Sequence, residues 1–143
     1  MSYKRPESVL VVVYTKTAEV LLMHRSDVPH FWQSVTGSLQ ADETPLATAR
    51  REVWEETGIV ATDEQLHDGQ YSNRFPIILP WRTRYAPEVT HNTEYVFSLW
   101  LPVACPIQLN PLEHCDYRWL PWQEALKLAS SYTNQAAILN IYN

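Results

Sequence analysis

An α/β fold is the class this 143-residue chain predicts. Two runs carry the strand side of that reading: Ser8 to Tyr14 (SVLVVVY) is unbroken and apolar, and Thr93 to Leu101 (TEYVFSLWL) alternates like a strand largely covered on both faces. A helix with both ends marked stands between them, and two further helical segments close the chain.

Ser8 to Tyr14 is a β-branched run of strand length, and Val20 to Met23 repeats the signal after the polar turn Thr15 to Glu19, so two adjacent buried strands open the chain. His24 to Thr36 holds Asp27, Pro29, Phe31, Trp32 and Gln33 without steady periodicity; it predicts a loop, with Ser34 to Gly37 re-entering the sheet. Thr44-Pro45 starts a helix, hydroxyl cap followed by proline at the first helical position, and Gly58 is placed to end it in a left-handed conformation. Leu46, Ala49 and Val53 fall at i, i+3 and i+7, which predicts a core-facing side with the charge opposite.

Beyond the helix, Asp68-Gly69 predicts a turn, and Gln70 to Pro87, with Pro76, Pro80 and Pro87 among aromatics and arginines, predicts strands broken by a long loop. The strand Thr93 to Leu101 follows. A short strand at Tyr117 to Leu120 then leads to helices at about Trp122 to Ala129 and Asn134 to Ile141. No repeats, linkers or low-complexity tracts interrupt this order, so residues 1–143 are expected to form one domain.

Composition narrows the function. Apolar residues make up 45% of the chain, with six tryptophans and eight tyrosines, enough for a sizeable core. Only three glycines are present, where an average composition of about 7% gives roughly ten. Gly37, Gly58 and Gly69 are too far apart for a glycine-rich dinucleotide or P-loop cradle. A net charge of −5 argues against a nucleic acid polymer as partner, because sequence-independent affinity comes from many cations neutralising phosphates. No apolar run reaches the roughly 18 residues that span a bilayer, and Met1-Ser2-Tyr3-Lys4-Arg5-Pro6 leads into a strand without a signal-peptide core. The expectation is a cytoplasmic protein without a membrane partner, in which Cys105 and Cys115 remain thiols.

Eight of the sixteen acidic residues lie between Asp42 and Asp68, where only Arg50 and Arg51 are positive. On a helix, Glu52, Glu55 and Glu56 occupy i, i+3 and i+4, so their carboxylates fan over roughly a quarter to a third of the circumference. Like charges at that spacing repel. A hard divalent cation reverses the sign of that cost, since carboxylate oxygens suit Mg2+ or Mn2+. A solvated acidic face is the plain alternative for any trio of helical glutamates, and the residues around this trio decide against it.

Gly37-Ser38-Leu39-Gln40-Ala41-Asp42-Glu43, seven further residues, then Arg51-Glu52-Val53-Trp54-Glu55-Glu56-Thr57-Gly58-Ile59 resembles a complete Nudix box, Gly-x5-Glu-x7-Arg-Glu-U-x-Glu-Glu-x-Gly-U with U aliphatic. All nine specified positions match; by composition alone such a match is rarer than about one in 10⁷. The resemblance implies an α/β/α sandwich with a mixed central sheet, a loop-helix-loop metal site, and metal-dependent hydrolysis of a diphosphate linkage. It implies that Glu52, Glu55 and Glu56 are catalytic metal ligands, that the Gly37 carbonyl is a further ligand, and that Arg51 pairs with Glu43 to brace loop against helix, while Gly58 ends the helix. It also points to Glu113, just before the strand Tyr117 to Leu120, as a catalytic base or further ligand; His114, which titrates near neutrality, is the alternative base.

Tyr3-Lys4-Arg5-Pro6, Phe31 to Gly37, Arg84-Tyr85-Ala86-Pro87 and Asn92-Thr93-Glu94 resemble the branch of the family that works in folate synthesis. That resemblance implies removal of pyrophosphate from 7,8-dihydroneopterin triphosphate with Mg2+, Mn2+ substituting, by an enzyme whose partner is a small-molecule triphosphate; a monomer is expected. Residue types fit such a ligand. Trp32, Gln33, Tyr85 and Asn92 offer a flat ring apolar and hydrogen-bonding surface, and Lys4, Arg25, Arg82 and Arg84 offer the phosphates cations. Hydrolysis of nucleoside triphosphates or dinucleoside polyphosphates is the alternative within the family, and a non-catalytic nucleotide-binding module is the alternative outside enzymes.

Overall fold

Alternation along the first strand sets the layers of the molecule. A computed structural model describes residues 3–79 and 81–143. Met1, Ser2 and Pro80, which entered the N-terminal and broken-strand readings above, lie outside them. β1 (Glu7–Thr15) sends Val9, Val11 and Val13 into one core with Ala49 and Val53, and Leu10 and Val12 into a second core with Ala125, Ala129, Ala137 and Ile138. Val9 through Val13 are at most 1% exposed, and burial stabilises such side chains by about 1.5–3 kcal/mol each. Alternate side chains point to opposite faces, so a strand this apolar needs cover on both.

The cover comes from α1 (Pro45–Thr57) on one face and from α2 (Trp122–Leu128) and α3 (Tyr132–Tyr142) on the other. Between them the described residues form a seven-stranded mixed sheet completed by β2 (Glu19–Arg25), β3 (Trp32–Gln33), β4 (Val35–Ser38), β5 (Leu66–Pro76), β6 (His91–Leu101) and β7 (His114–Pro121). This is the expected α/β/α sandwich. β6 pairs parallel with β1 along its whole length, from Glu7↔Thr93 to Thr15↔Leu101. The other edge of β1 is shared: β4 takes Ser8 to Val11, and β2 meets it only at Tyr14↔Val20. β2 then diverges toward β7 and β3, and the opening this leaves beside β1 is bordered by β3 and β4.

Helix signals act where the chain places them. Thr44 Oγ1 accepts from the Ala47 N–H at 3.2 Å, Pro45 follows as the first helical residue, and Gly58 closes α1 with φ +80° and its N–H on the Trp54 carbonyl at 2.9 Å. Ser131 caps α3 through the Asn134 N–H at 3.1 Å.

Three expectations are corrected. Leu46 is 43% exposed, and the buried face of α1 comprises Thr48, Ala49, Glu52, Val53, Glu56 and Thr57. At about 100° per residue that arc centres between Glu56 and Ala49, which leaves Leu46 at its margin and turns two glutamates inward rather than away from the core. Asp68-Gly69 is a bulge inside β5 rather than a turn: pairing with β6 shifts register between Asp68 and Ser72, with Gln70 at φ +60°. A Cβ on Gly69 would come within 2.8 Å of the Val96 carbonyl oxygen, so close backbone approach explains this glycine. Finally, the expected loop from His24 to Thr36 contains β3 at Trp32–Gln33, too short for periodicity to reveal.

Cys105 and Cys115 are free thiols. Among the described residues no helix is long and apolar enough to cross a membrane.

Candidate active site

Arg51 organises the carboxylate end of α1. Its Nε and one terminal nitrogen donate to both Glu43 oxygens at 2.7 and 2.9 Å, and that same nitrogen also donates to the Ser38 carbonyl at 3.0 Å. The remaining nitrogen reaches Glu55 at 3.1 Å and Glu52 at 3.4 Å. Glu43 is further held by the Gln40 N–H and the Thr48 hydroxyl, and these partners, Arg51 foremost, pull its pKa down to about 2. One guanidinium thus joins the loop, β4 and α1.

Glu52 lies against Gly37. A Cβ at position 37 would overlap the Glu52 carboxylate, so only glycine lets this side chain rest on the β4 backbone. Burial, with Glu55 and Glu113 nearby, raises the Glu52 pKa to about 8 despite Arg51. Glu56, one turn on, is 1% exposed and accepts from the Thr36 backbone; burial first, then Glu52 and Glu113, pushes its pKa well above the usual carboxylate range. Its Oε1 has no hydrogen-bond partner. His114, 2% exposed at the start of β7, stands 3.9 Å from that oxygen through Nδ1, while Gln33 Nε2 meets its Nε2 at 3.1 Å. Burial lowers the His114 pKa to about 4, so the ring is neutral at pH 7. Ligand atoms of Glu56, Glu113 and His114 all lie within 4.8 Å of one another.

These groups open into a cavity of about 700 Å³ that takes residues from both faces of the sheet: Glu52 and Glu56 from α1, and Thr133 and Asn134 from α3. Lys4, Arg25 and Arg84 bring positive charge. Arg25 makes a two-pronged pair with Asp27 at 2.7 Å and lies 5.0 Å over the Trp81 ring, and Arg84 reaches the same Asp27 at 3.4 Å. Burial, then Arg84 and Arg25, lowers the Lys4 pKa, while Glu52 and Glu113 act in the opposite direction, so Lys4 sits between cations and carboxylates.

Of the residues singled out from sequence, the cavity brings together Gly37, Glu52, Glu56, Glu113, Lys4, Arg25, Gln33, Arg84, Tyr85 and Asn92. Glu55 stays outside the lining, its side chain 41% exposed, but hydrogen-bonds with Glu52. Trp32 and Arg82 do not line the cavity. Trp32 is a buried part of the second core, stacked on His24 at 4.9 Å with Arg118 4.7 Å from its ring, so its loop position hides a packing anchor. Arg82 belongs to a short 3₁₀ turn, Trp81–Arg84, whose two end residues, Trp81 and Arg84, line the cavity. The aromatic wall is instead Phe31, Phe75, Trp81, Tyr85 and Tyr132. Glu94 was also missed; period two along β6 sets it on the face of Val96, and an acid at a core-facing register was the available signal.

The donor set fits a divalent cation. A buried carboxylate oxygen without a partner, in a pair of carboxylates whose pKa values burial and mutual repulsion raise, is what an oxygen-ligated ion relieves. A family model described as the NUDIX domain matches residues 4–140. The chain belongs to the Nudix family. Nudix hydrolases use divalent metal ions, and α1 delivers Glu56 to a candidate metal cluster completed by Glu113 and His114. Over 139 residues the chain is 47% identical to the dihydroneopterin triphosphate diphosphatase of Escherichia coli K12, covering 95% of this chain and 91% of that protein. It is 41% identical over 143 residues to the Haemophilus influenzae protein of the same name, covering 96% and 88%. The solved structure of the E. coli dihydroneopterin triphosphate pyrophosphohydrolase superposes with a TM-score of 0.91 at 45% identity, covering 98% of this chain and 97% of that one.

Proposed function

We propose that this chain, acting as one Nudix domain, cleaves the α–β anhydride of 7,8-dihydroneopterin triphosphate to give the monophosphate and pyrophosphate, with Mg2+ as metal and Mn2+ as a substitute. The observation that carries the reading is the single cavity joining the buried carboxylates, through Lys4, to an aromatic-walled pocket. The names and 41–47% identity of the relatives support the same substrate. A monomer in the cytoplasm completes the reading, and the free thiols suit that reducing compartment.

When bound, the divalent ion supplies charge neutralisation at the phosphate oxygens and makes a water acidic enough to attack near neutral pH. Glu52, Glu55, Glu56 and the Gly37 carbonyl would hold it. Glu113, with an exposed side chain at the cavity mouth, accepts the proton of the attacking water. His114, neutral at pH 7 and braced by Gln33, holds the Glu56 side of the site in place. Lys4, Arg25 and Arg84 pair with phosphate oxygens, and Asp27, its pKa drawn down to about 2 chiefly by Arg25, keeps the two arginines oriented. Tyr85 and Asn92 offer polar atoms to the substrate, and Phe31, Phe75 and Trp81 flank the ring.

The test is a comparison of kcat/KM, read as pyrophosphate release, for dihydroneopterin triphosphate, the deoxynucleoside triphosphates and diadenosine tetraphosphate. A preference for dihydroneopterin triphosphate is expected. A preference for any nucleotide overturns the substrate.

A further inference from the structure

We propose that Glu94, with Asn92 Oδ1 beside it, reads the adjacent ring N–H and exocyclic amino group of a 2-amino-4-oxo heterocycle, the edge shared by pterin and guanine, and so sets the base specificity of the cavity. The inference rests on the reading that the cavity holds the ring of a pterin triphosphate.

On β6, positions 92, 94 and 96 share a face, and Val96 is packed in the core under α2 and α3. Glu94 interrupts that apolar face. It is 6% exposed and lines the cavity, and its carboxylate receives the Asn73 amide at 3.5 Å and the Thr133 hydroxyl. No salt bridge reaches it among the described residues. A buried carboxylate without a cation calls for further donors. Asn92 is 5% exposed and lines the same cavity; its amide nitrogen donates to Ser8 Oγ at 2.7 Å and its Oδ1 has no partner.

Two neighbouring side chains on one strand face therefore present spare acceptors. A carboxylate accepts only, so it matches a ligand edge with two adjacent donors. Pterin and guanine carry such an edge. Adenine and cytosine set an acceptor nitrogen beside their amino group, which a carboxylate repels, and hypoxanthine lacks the amino group. The cations and the metal-binding carboxylates handle the triphosphate and are indifferent to the ring, so discrimination falls to this wall.

The experiment measures wild type and Glu94→Gln with Mg2+ on dihydroneopterin triphosphate, GTP, ITP and ATP, as substrates or competitive inhibitors. Wild type is expected to favour GTP over ITP by about tenfold. In Glu94→Gln the loss on dihydroneopterin triphosphate and GTP should be about 30-fold, at least ten times the loss on ITP and ATP. Equal losses on all four, or no GTP-over-ITP preference in wild type, overturn the assignment. The second comparison needs no variant and holds even if Glu94→Gln fails to fold. The two readings separate cleanly: a wild type that prefers ATP to dihydroneopterin triphosphate removes the substrate reading, whereas a pterin preference that survives Glu94→Gln removes only Glu94.

Discussion

At one end of the cavity Glu52 and Glu56 arrive within little more than a turn of one helix, with Glu55 just outside, and an arginine from that same helix reaches Glu52 and Glu55. At the other end Phe31, Phe75, Trp81, Asn92, Glu94 and Thr133 come from distant segments that meet only because β1 pairs with both β4 and β6. The first end depends on local geometry, i to i+4, and tolerates little change in side-chain type. The second depends on the whole sheet and can be retuned one residue at a time. On the proposed roles, phosphate chemistry is fixed where the chain is locally rigid, and ring choice lies where tertiary structure assembles it.

The largest effect expected from breaking the contrast is at the helix. Glu56→Gln should lower kcat/KM by about 10³-fold or more, since the metal contributes several kcal/mol to the barrier at about 1.4 kcal/mol per tenfold. The same variant should melt a few degrees higher in EDTA at pH 8, because it removes a buried acid crowded by Glu52 and Glu113. Activity within tenfold of wild type would falsify the role of Glu56. Gly37→Ala comes next: its methyl displaces the Glu52 carboxylate, and a shift of about 1 Å should cost about 100-fold in kcat with KM changed far less.

At the ring end, two tryptophans sharpen the comparison. Trp32→Ala should destabilise the fold by about 3–5 kcal/mol in urea unfolding, as a buried aromatic removed from the second core. Trp81→Ala, on the cavity wall, should raise KM about tenfold with a much smaller loss of stability. Equal stability losses would erase the distinction between anchor and wall.

The smallest effect is a pH slope. The folded chain keeps a proton on Glu52 up to about pH 8 that the unfolded chain, with the ordinary value of 4.5, has released. That stability is fully present below about pH 4.5 and is lost as pH rises through about 8. Melting temperature in EDTA should fall by several degrees across this window, and saturating Mg2+ should flatten the slope. A flat profile in EDTA would show Glu52 ionised without metal.

Most of the fold is legible in the sequence, because each long element carries its own signals: β-branched runs in β1 and β2, Thr44-Pro45 and Gly58 around α1. Failures came where pairing overrides local preference. Asp68-Gly69 has turn chemistry, yet β6 extends the ladder past it and converts it to a bulge. The Nudix residues are readable because they sit at helical spacing; of the ring pocket Gln33, Tyr85 and Asn92 are legible, and Phe75, Trp81 and Thr133 are not, because nothing in them taken singly marks a wall. Trp32 shows the limit plainly: an aromatic in a loop-like stretch looked like a ring platform and is a core residue.

The parallel pairing of β1 with β6 also has a bearing on synthesis. Partners from Glu7↔Thr93 to Thr15↔Leu101 lie 86 residues apart, so a growing chain carries its most apolar segment, and the whole of α1, long before the central ladder can close. Until β6 leaves the ribosome, Ser8 to Tyr14 remains an open strand edge inviting association with other nascent chains. Prematurely terminated products ending before His91 should therefore aggregate rather than bind metal, and the moment of commitment to a soluble fold comes only after most of the chain has been made.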